Sequence, residues 1–137
     1  MSKDSTLRGV RVVSLALNLP GPAAIMRLAQ MGATCTKVNP PQGDPMAHYT
    51  PEGYDTLHKG VKQISCDLKD PKGQKALHRL LEKTDVLLTS FRPSALNKLG
   101  LSWKTLHPQF PKLSCVSVVG APGSLAEIPG HDLTYQA

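Results

Sequence analysis

The sequence has few aromatic residues, few cysteines and no long apolar run. Aromatic side chains make up 4% of the 137 residues, which leaves little surface for stacking on nucleic-acid bases. Cys35, Cys66 and Cys115 stand far apart without a Cys-x-x-Cys pair, so a disulfide framework or a zinc site is not indicated. No apolar run approaches the roughly 20 residues that a membrane-spanning helix needs. We therefore expect no nucleic-acid or membrane partner and three thiols buried as small apolar groups.

The start of the chain also lacks a targeting signal. Residues 1–9 are polar and mixed in charge, without the apolar stretch of a secretory signal and with too few arginines for a transit peptide. We therefore expect a soluble cytoplasmic protein, with residues 1–137 in one domain. The net charge of +6, from 16 Lys and Arg against 10 acidic residues, favours anionic partners such as a phosphorylated cofactor.

Short apolar runs alternate with helical patterns along the chain. The predicted strands cover residues 9–17, 34–38, 63–68, 85–91 and 113–120. The predicted helices cover 23–31, 71–83, 94–100 and 103–107, and a long Pro- and Gly-rich loop covers 39–54. Nearly continuous apolar strands with helices between them are typical of a parallel sheet covered on both faces. The sequence therefore predicts an α/β, Rossmann-like fold.

A further helix is predicted to open at residues 131–137, where the sequence stops. So little chain follows that this helix cannot bury its apolar side. We therefore expect the sequence to be the truncated N-terminal part of a longer protein.

Pro20, Gly21 and Pro22 follow the first predicted strand, with Pro22 as the expected first residue of the helix. A helix N terminus offers N–H groups and partial positive charge to a phosphate, and glycine lets a ligand approach the backbone. The residues do not form a Gly-x-Gly-x-x-Gly fingerprint. An ordinary turn between strand and helix is therefore the alternative.

Other candidate ligand contacts lie near the ends of the later strands. Lys37 ends the second predicted strand and Lys62 precedes the third, and a lysine at the crevice of an α/β sheet suits a phosphate. Phe91 and Arg92 end the fourth strand, where an arginine would grip a phosphate with two hydrogen bonds. The alternatives are solvated lysines, a core phenylalanine and a surface ion pair.

His131 follows a Gly- and Pro-rich loop and opens the last predicted helix. A histidine in this place suits a general base, and Asp132 would cap the helix or orient a neighbour. A structural histidine is the alternative. The remaining histidines are expected in polar loops or on helix surfaces: His48, His58, His78 and His107.

Three stretches carry a family resemblance across almost the whole chain: residues 7–45, 62–120 and 129–137. In this order they resemble the class III CoA-transferases of the CaiB/BaiF type. That family includes formyl-CoA and carnitine CoA-transferases and α-methylacyl-CoA racemase.

The resemblance implies a large domain that binds coenzyme A, a smaller second domain and a homodimer of interlocked chains. It implies that the Pro20–Pro22 turn, the Lys62 region and Phe91–Arg92 line the CoA site. Lys98 falls where relatives place a basic residue near a CoA phosphate. His131 matches one of the two bases of the racemases. The aspartate that forms the acyl-anhydride intermediate of the transferases lies beyond residue 137.

The chain also departs from the family pattern. Asn39 and Pro40 replace an acidic residue and an arginine, which puts the usual adenosine contacts in question, and Ser94 replaces a glycine. The resemblance nevertheless implies a class III CoA-transferase that moves CoA between acyl groups through an aspartyl-CoA type intermediate, with acyl-CoA and carboxylic acids as substrates and without a metal. An α-methylacyl-CoA racemase-like enzyme with His131 as a base is one alternative. A non-catalytic CoA-binding fragment is the other.

Overall fold

A parallel β-sheet runs through residues 5–130, the part of the chain that the computed structural model describes. Its strands are β1 (Arg11–Ser14), β2 (Thr34–Asn39), β3 (Lys62–Ser65), β4 (Val86–Thr89) and β5 (Ser114–Ser117). They lie in the order β3-β2-β1-β4-β5, and each neighbouring pair is parallel. The predicted α/β fold is confirmed, although the strands are shorter than the apolar runs suggested.

Helices connect these strands: α1 (Pro20–Gln30), α2 (Met46–Tyr49), α3 (Pro51–Leu57), α4 (Pro71–Leu81), α5 (Pro93–Lys98) and α6 (Trp103–Gln109). A 3₁₀ helix covers Gly123–Glu127. Among residues 5–130, no helix combines the length and the apolar character needed to cross a membrane. The prediction of one long loop over 39–54 is wrong, because α2 and part of α3 lie there. Each is too short to show helical periodicity in the sequence.

Side chains cap the starts of two helices, α4 and α6. The Asp70 carboxylate accepts a hydrogen bond from the Lys72 backbone N–H at 3.1 Å, before α4. The Ser102 hydroxyl accepts one from the Thr105 N–H at 3.3 Å, before α6. Side chains at these positions satisfy backbone donors that have no partner inside the helix. The boundaries of α4 and α6 are therefore set locally.

Two apolar clusters cover the two faces of the sheet. On one face Val13 and Leu87 pack in a cluster with Leu77 of α4 and Leu106 of α6. The second cluster joins other strand residues to α1: Val12, Cys35, Leu88 and Ile25. Neighbouring residues of a strand point to opposite faces, so β1 and β4 contribute to both clusters. All three thiols are free; Cys35 is buried, whereas Cys66 and Cys115 are only half-buried.

The packing of α1 against the end of β1 depends on Gly21. A Cβ atom added to Gly21 would overlap the Cβ of Ala16, a residue with no exposed surface. The glycine therefore serves helix packing at this position.

We expect Gly21→Ala to lower the free energy of unfolding by about 1–3 kcal/mol, because the added methyl group overpacks the contact with Ala16. Urea unfolding followed by circular dichroism measures the change. The double variant Ala16→Gly/Gly21→Ala moves the methyl group across the contact and should recover most of the loss. A single variant as stable as the parent chain would contradict this explanation.

Candidate functional site

A cleft of about 680 Å³ opens beyond the carboxyl ends of β1, β4 and β5. The strand order reverses here, because β2 and β3 lie on one side of β1 and β4 and β5 on the other. Ligands of open α/β sheets bind in the crevice at such a reversal. We call this cavity the switch-point cleft; its lining residues are Leu17, Asn18, Leu19, Pro20, Tyr49, Ser90, Arg92, Val118, Val119, Gly120, Ala126, Ile128, Pro129 and Gly130.

The walls of the switch-point cleft are mainly apolar. Leucine, proline, valine, alanine and isoleucine side chains supply most of the lining, and Arg92 supplies the charge among the described residues. Asn18, Tyr49 and Ser90 add hydrogen-bonding groups. An apolar cavity with a few polar groups is the usual character of a small-molecule site.

Arg92 lies between β4 and α5, in extended backbone conformation at the N-cap of α5. Its side chain is exposed and lines the cleft. The next turn is fixed by Glu127, whose carboxylate accepts hydrogen bonds from the Ser94 N–H and hydroxyl, both at 2.7 Å. The serine that replaces the expected glycine thus ties the 3₁₀ helix to α5.

Gly21 and Pro22 lie inside α1 and are buried. The helix begins at Pro20, not at Pro22 as the sequence suggested. Pro20 and Pro22 have no backbone N–H, and the N–H of Ala23 donates to the Leu19 carbonyl at 2.9 Å. The first turn of α1 therefore has few amide donors for a phosphate, and contact of Gly21 and Pro22 with CoA stays a prediction.

The other predicted contacts do not gather with Arg92. Lys62 is exposed at the start of β3. This edge strand is separated from β1 and the cleft by β2. Lys98 is exposed at the end of α5, outside the cleft lining. Phe91 is half-buried and packs against the apolar cluster of α4 and α6. The CoA contacts of these residues stay predictions.

Lys37 is completely buried, and its ammonium group forms an ion pair with Asp44. The same nitrogen donates to Nε2 of His58 at 3.0 Å and lies 4.9 Å from the centre of the Tyr54 ring. A solvated Lys37 and a surface His58 are therefore wrong expectations. The ammonium group of Lys37 already binds Asp44 and His58. Its predicted contact with a cofactor phosphate stays a prediction, and no contact among the described residues supports it.

The pKa values within this buried group favour an ionised Asp44. Burial raises the pKa of Asp44, but hydrogen bonds from Lys37, Met46 and Asn18 outweigh it and leave the pKa below its usual value. Burial lowers the pKa of Lys37, against the hydrogen bond and charge of Asp44. Burial also lowers the pKa of His58, and the nearby Lys37 charge acts in the same direction.

The predicted base, His131, lies outside the described residues. Gly130, the residue before it, lines the switch-point cleft. The role of His131 as a base stays a prediction.

Comparisons with known proteins agree with this architecture. The sequence profile described as CoA-transferase family III matches residues 7–137. The chain belongs to CoA-transferase family III. A CaiB/BaiF family protein from Brucella suis is 31% identical and superimposes with a TM-score of 0.86, over 97% of this chain and 39% of the other.

Curated relatives of this family III chain include two kinds of enzyme. The cinnamoyl-CoA:phenyllactate CoA-transferase of Clostridium sporogenes is 37% identical over 92% of this chain and 34% of its own length. The α-methylacyl-CoA racemase of Mus musculus is 38% identical over 96% of this chain and 33% of its own length. The family III chain spans about a third of the length of these relatives.

Several residues of the cleft were absent from the predicted site. Asn18 directly follows the first apolar run, as Arg92 follows the fourth, so the strand-end rule could have found it. Tyr49 lies in α2, which the sequence pattern did not predict. Residues 118–120 line the cleft because β5 lies beside β4. Predicting them would have required the strand order, which the sequence pattern does not give.

We expect the free energy of unfolding to fall as the pH drops below about 6.5, the usual pKa of histidine. The pKa of His58 is lowered in the folded state, so the unfolded chain takes up a proton that the folded chain does not. The loss continues down to the folded pKa. Urea unfolding between about pH 7.5 and about pH 5 measures this slope.

His58→Gln removes the titrating group and should flatten the slope in this range. The matched control is His48→Gln, because His48 is exposed in α2. Equal slopes in the parent chain and in His58→Gln would contradict the assignment.

Proposed function

We propose that this chain is the CoA-binding part of a class III CoA-transferase, which moves CoA from an acyl-CoA to a carboxylic acid. The observation that carries the proposal is the switch-point cleft, which lies at the ligand position of the fold in a chain of family III. Both CoA-transferases and racemases occur among the relatives, and their substrates are CoA thioesters by name.

The chemistry of the cleft suits the arm and acyl end of such a thioester. Leu17, Leu19 and Val118 offer apolar walls to a long, largely uncharged chain. Asn18 and Ser90 can hydrogen-bond amide or thioester groups along it. Arg92 can bind a phosphate or a carboxylate with charge-assisted hydrogen bonds at the mouth.

The transfer step needs a nucleophile to attack the thioester carbonyl. The proposed nucleophile is an aspartate carboxylate: it forms a mixed anhydride with the acyl group, the carbon–sulfur bond breaks, and CoA leaves as the thiolate. The thiolate then attacks the aspartyl carbonyl, which releases the first acid and leaves aspartyl-CoA. The acceptor carboxylate displaces CoA from this thioester as a second mixed anhydride, and the thiolate attacks the acceptor's acyl carbonyl to give the new acyl-CoA and the free aspartate. Among the described residues, the cleft lining includes no carboxylate. On this proposal the aspartate comes from beyond residue 137, and the chain alone binds CoA without turnover. That behaviour is also the prediction of the non-catalytic alternative.

Racemisation is the second candidate, supported by the mouse relative that is 38% identical. In that reaction one base removes the proton on the carbon next to the thioester and an opposed acid returns one to the other face. His131 is the proposed base, because the residue before it lines the cleft. For both candidate functions we also propose that the complete protein is a homodimer in the cytoplasm.

We expect Arg92→Ala to weaken binding of CoA by about 1–3 kcal/mol, because a charge-assisted hydrogen bond to phosphate is lost. Isothermal titration of the chain with CoA measures the dissociation constant. The control is Arg79→Ala, since Arg79 is an exposed arginine of α4 outside the cleft lining. Equal dissociation constants for the parent chain and Arg92→Ala would remove Arg92 from the site.

The two candidate activities are distinguished by assays of the complete gene product. A transferase should exchange labelled CoA between an acyl-CoA and a free acid, without uptake of solvent deuterium at the neighbouring carbon. A racemase should take up deuterium there, and His131→Ala should abolish that uptake. Failure of both assays, together with no CoA binding by the chain, would refute the proposed function.

A further inference from the structure

Asn18 adopts an unusual backbone conformation in the wall of the switch-point cleft. Its φ angle is +65°, in the left-handed region that residues other than glycine seldom occupy. Asparagine tolerates this region better than most residues, but surrounding contacts still have to hold it there. The turn between β1 and α1 therefore depends on whatever fixes Asn18.

Asp44 supplies that contact from outside the turn. Its Oδ1 atom accepts hydrogen bonds from the backbone N–H groups of Asn18, at 3.1 Å, and of Met46, at 3.0 Å. The hydroxyl of Tyr49 donates to the side-chain oxygen of Asn18 at 3.2 Å. One carboxylate oxygen thus joins the β1–α1 turn to the start of α2, and both ends of this connection line the cleft through Asn18 and Tyr49.

The second oxygen of Asp44, Oδ2, forms the ion pair with the ammonium group of Lys37. Asp44 is 1% exposed and Lys37 is 0% exposed. Nδ1 of His58 donates a hydrogen bond to the Tyr54 carbonyl at 2.6 Å. Nε2 is therefore unprotonated and accepts a hydrogen bond from the ammonium group of Lys37. Groups that bear on His58 electrostatically are Lys37, Asp44 and Asp55. His58, itself held by the Tyr54 carbonyl, thus anchors the ammonium group of Lys37 beside Asp44.

Burying the Lys37–Asp44 ion pair costs free energy, although Asp44 binds only two backbone N–H groups, those of Asn18 and Met46. Removing charged groups from water costs several kcal/mol each, and an apolar pair often stabilises a fold as well or better. This ion pair contacts the cleft wall through Asn18, so its cost indicates that the wall has to keep one fixed geometry. A carboxylate whose oxygens bind different partners meets that demand, because moving either partner breaks a charge-assisted bond.

We propose that Asp44 is a positioning residue of the switch-point cleft: braced by Lys37, it fixes Asn18 in the left-handed turn and, through Asn18, holds Tyr49 at the cleft wall. The effect on a ligand rests on the proposed function, with an acyl-CoA as the ligand. The effect on the geometry of Asn18 does not.

Nuclear magnetic resonance of the ¹⁵N-labelled chain tests the geometry without a ligand. Asp44→Asn keeps the shape of the side chain and removes its charge. We expect the Asn18 amide proton to shift upfield and the Tyr49 ring signals to move. The matched control is Asp85→Asn, whose carboxylate accepts from the Arg11 N–H at 2.8 Å, where β1 and β4 begin. It should leave both sets of signals in place.

Titration with CoA tests the consequence for binding. Asp44→Asn should raise the dissociation constant roughly 5- to 150-fold, the usual range for coupled positions, and Asp85→Asn should not. Unchanged Asn18 and Tyr49 signals in Asp44→Asn overturn the proposal, whatever happens to binding. If the parent chain binds no CoA while those signals do shift, the CoA-binding part of the proposed function fails and the positioning role stands.

Hydrogen exchange of the parent chain covers the case in which Asp44→Asn does not fold. The Asn18 and Met46 amides should both exchange far more slowly than an unstructured chain, since each donates to Asp44. Protection of both amides supports the proposal. Exchange of the Asn18 amide at its unstructured rate overturns it.

Discussion

The central constraint on this molecule is the pairing of β1 with parallel strands on both sides. β1 pairs with β2 along one edge and with β4 along the other. The chain reaches both neighbours by crossovers, and apolar clusters form on each face of the sheet. Loops that leave β1 and β4 must then diverge at the carboxyl edge, and a cavity opens between them. The cleft is therefore a consequence of topology before any particular side chain is considered.

The sequence was informative where local chemistry decides the structure. Apolar runs located all of the strands in residues 5–130, and the predicted helix starts at residues 71 and 103 match those of α4 and α6. It was uninformative for α2 and α3, which occupy one or two turns each and bury chiefly Met46 and Tyr54. Elements of that length have no periodicity to detect, and their stability comes from tertiary contacts.

The site was harder to predict, because burial and pairing are not local properties. Lys37 resembles a strand-end lysine in the sequence, yet Asp44 and His58 enclose it from a loop and from the end of α3. Gly21 resembles a ligand-approach glycine, yet the neighbouring methyl group of Ala16 explains it. Arg92 was found because it follows a strand at the carboxyl edge, and Asn18 satisfies the same rule. A place just after β1 or β4 was thus a better guide than residue type, because the cleft opens beyond those strands.

The composition of the cleft also limits which part of an acyl-CoA it can hold. Diphosphates are usually bound where several backbone N–H groups converge at a helix N terminus. Here two prolines remove donors from the first turn of α1, and apolar side chains form most of the lining. On the proposed function, the switch-point cleft therefore suits the pantetheine and acyl end of the thioester. The phosphates would then lie towards Arg92 at the mouth, where solvent and a cationic side chain are both available.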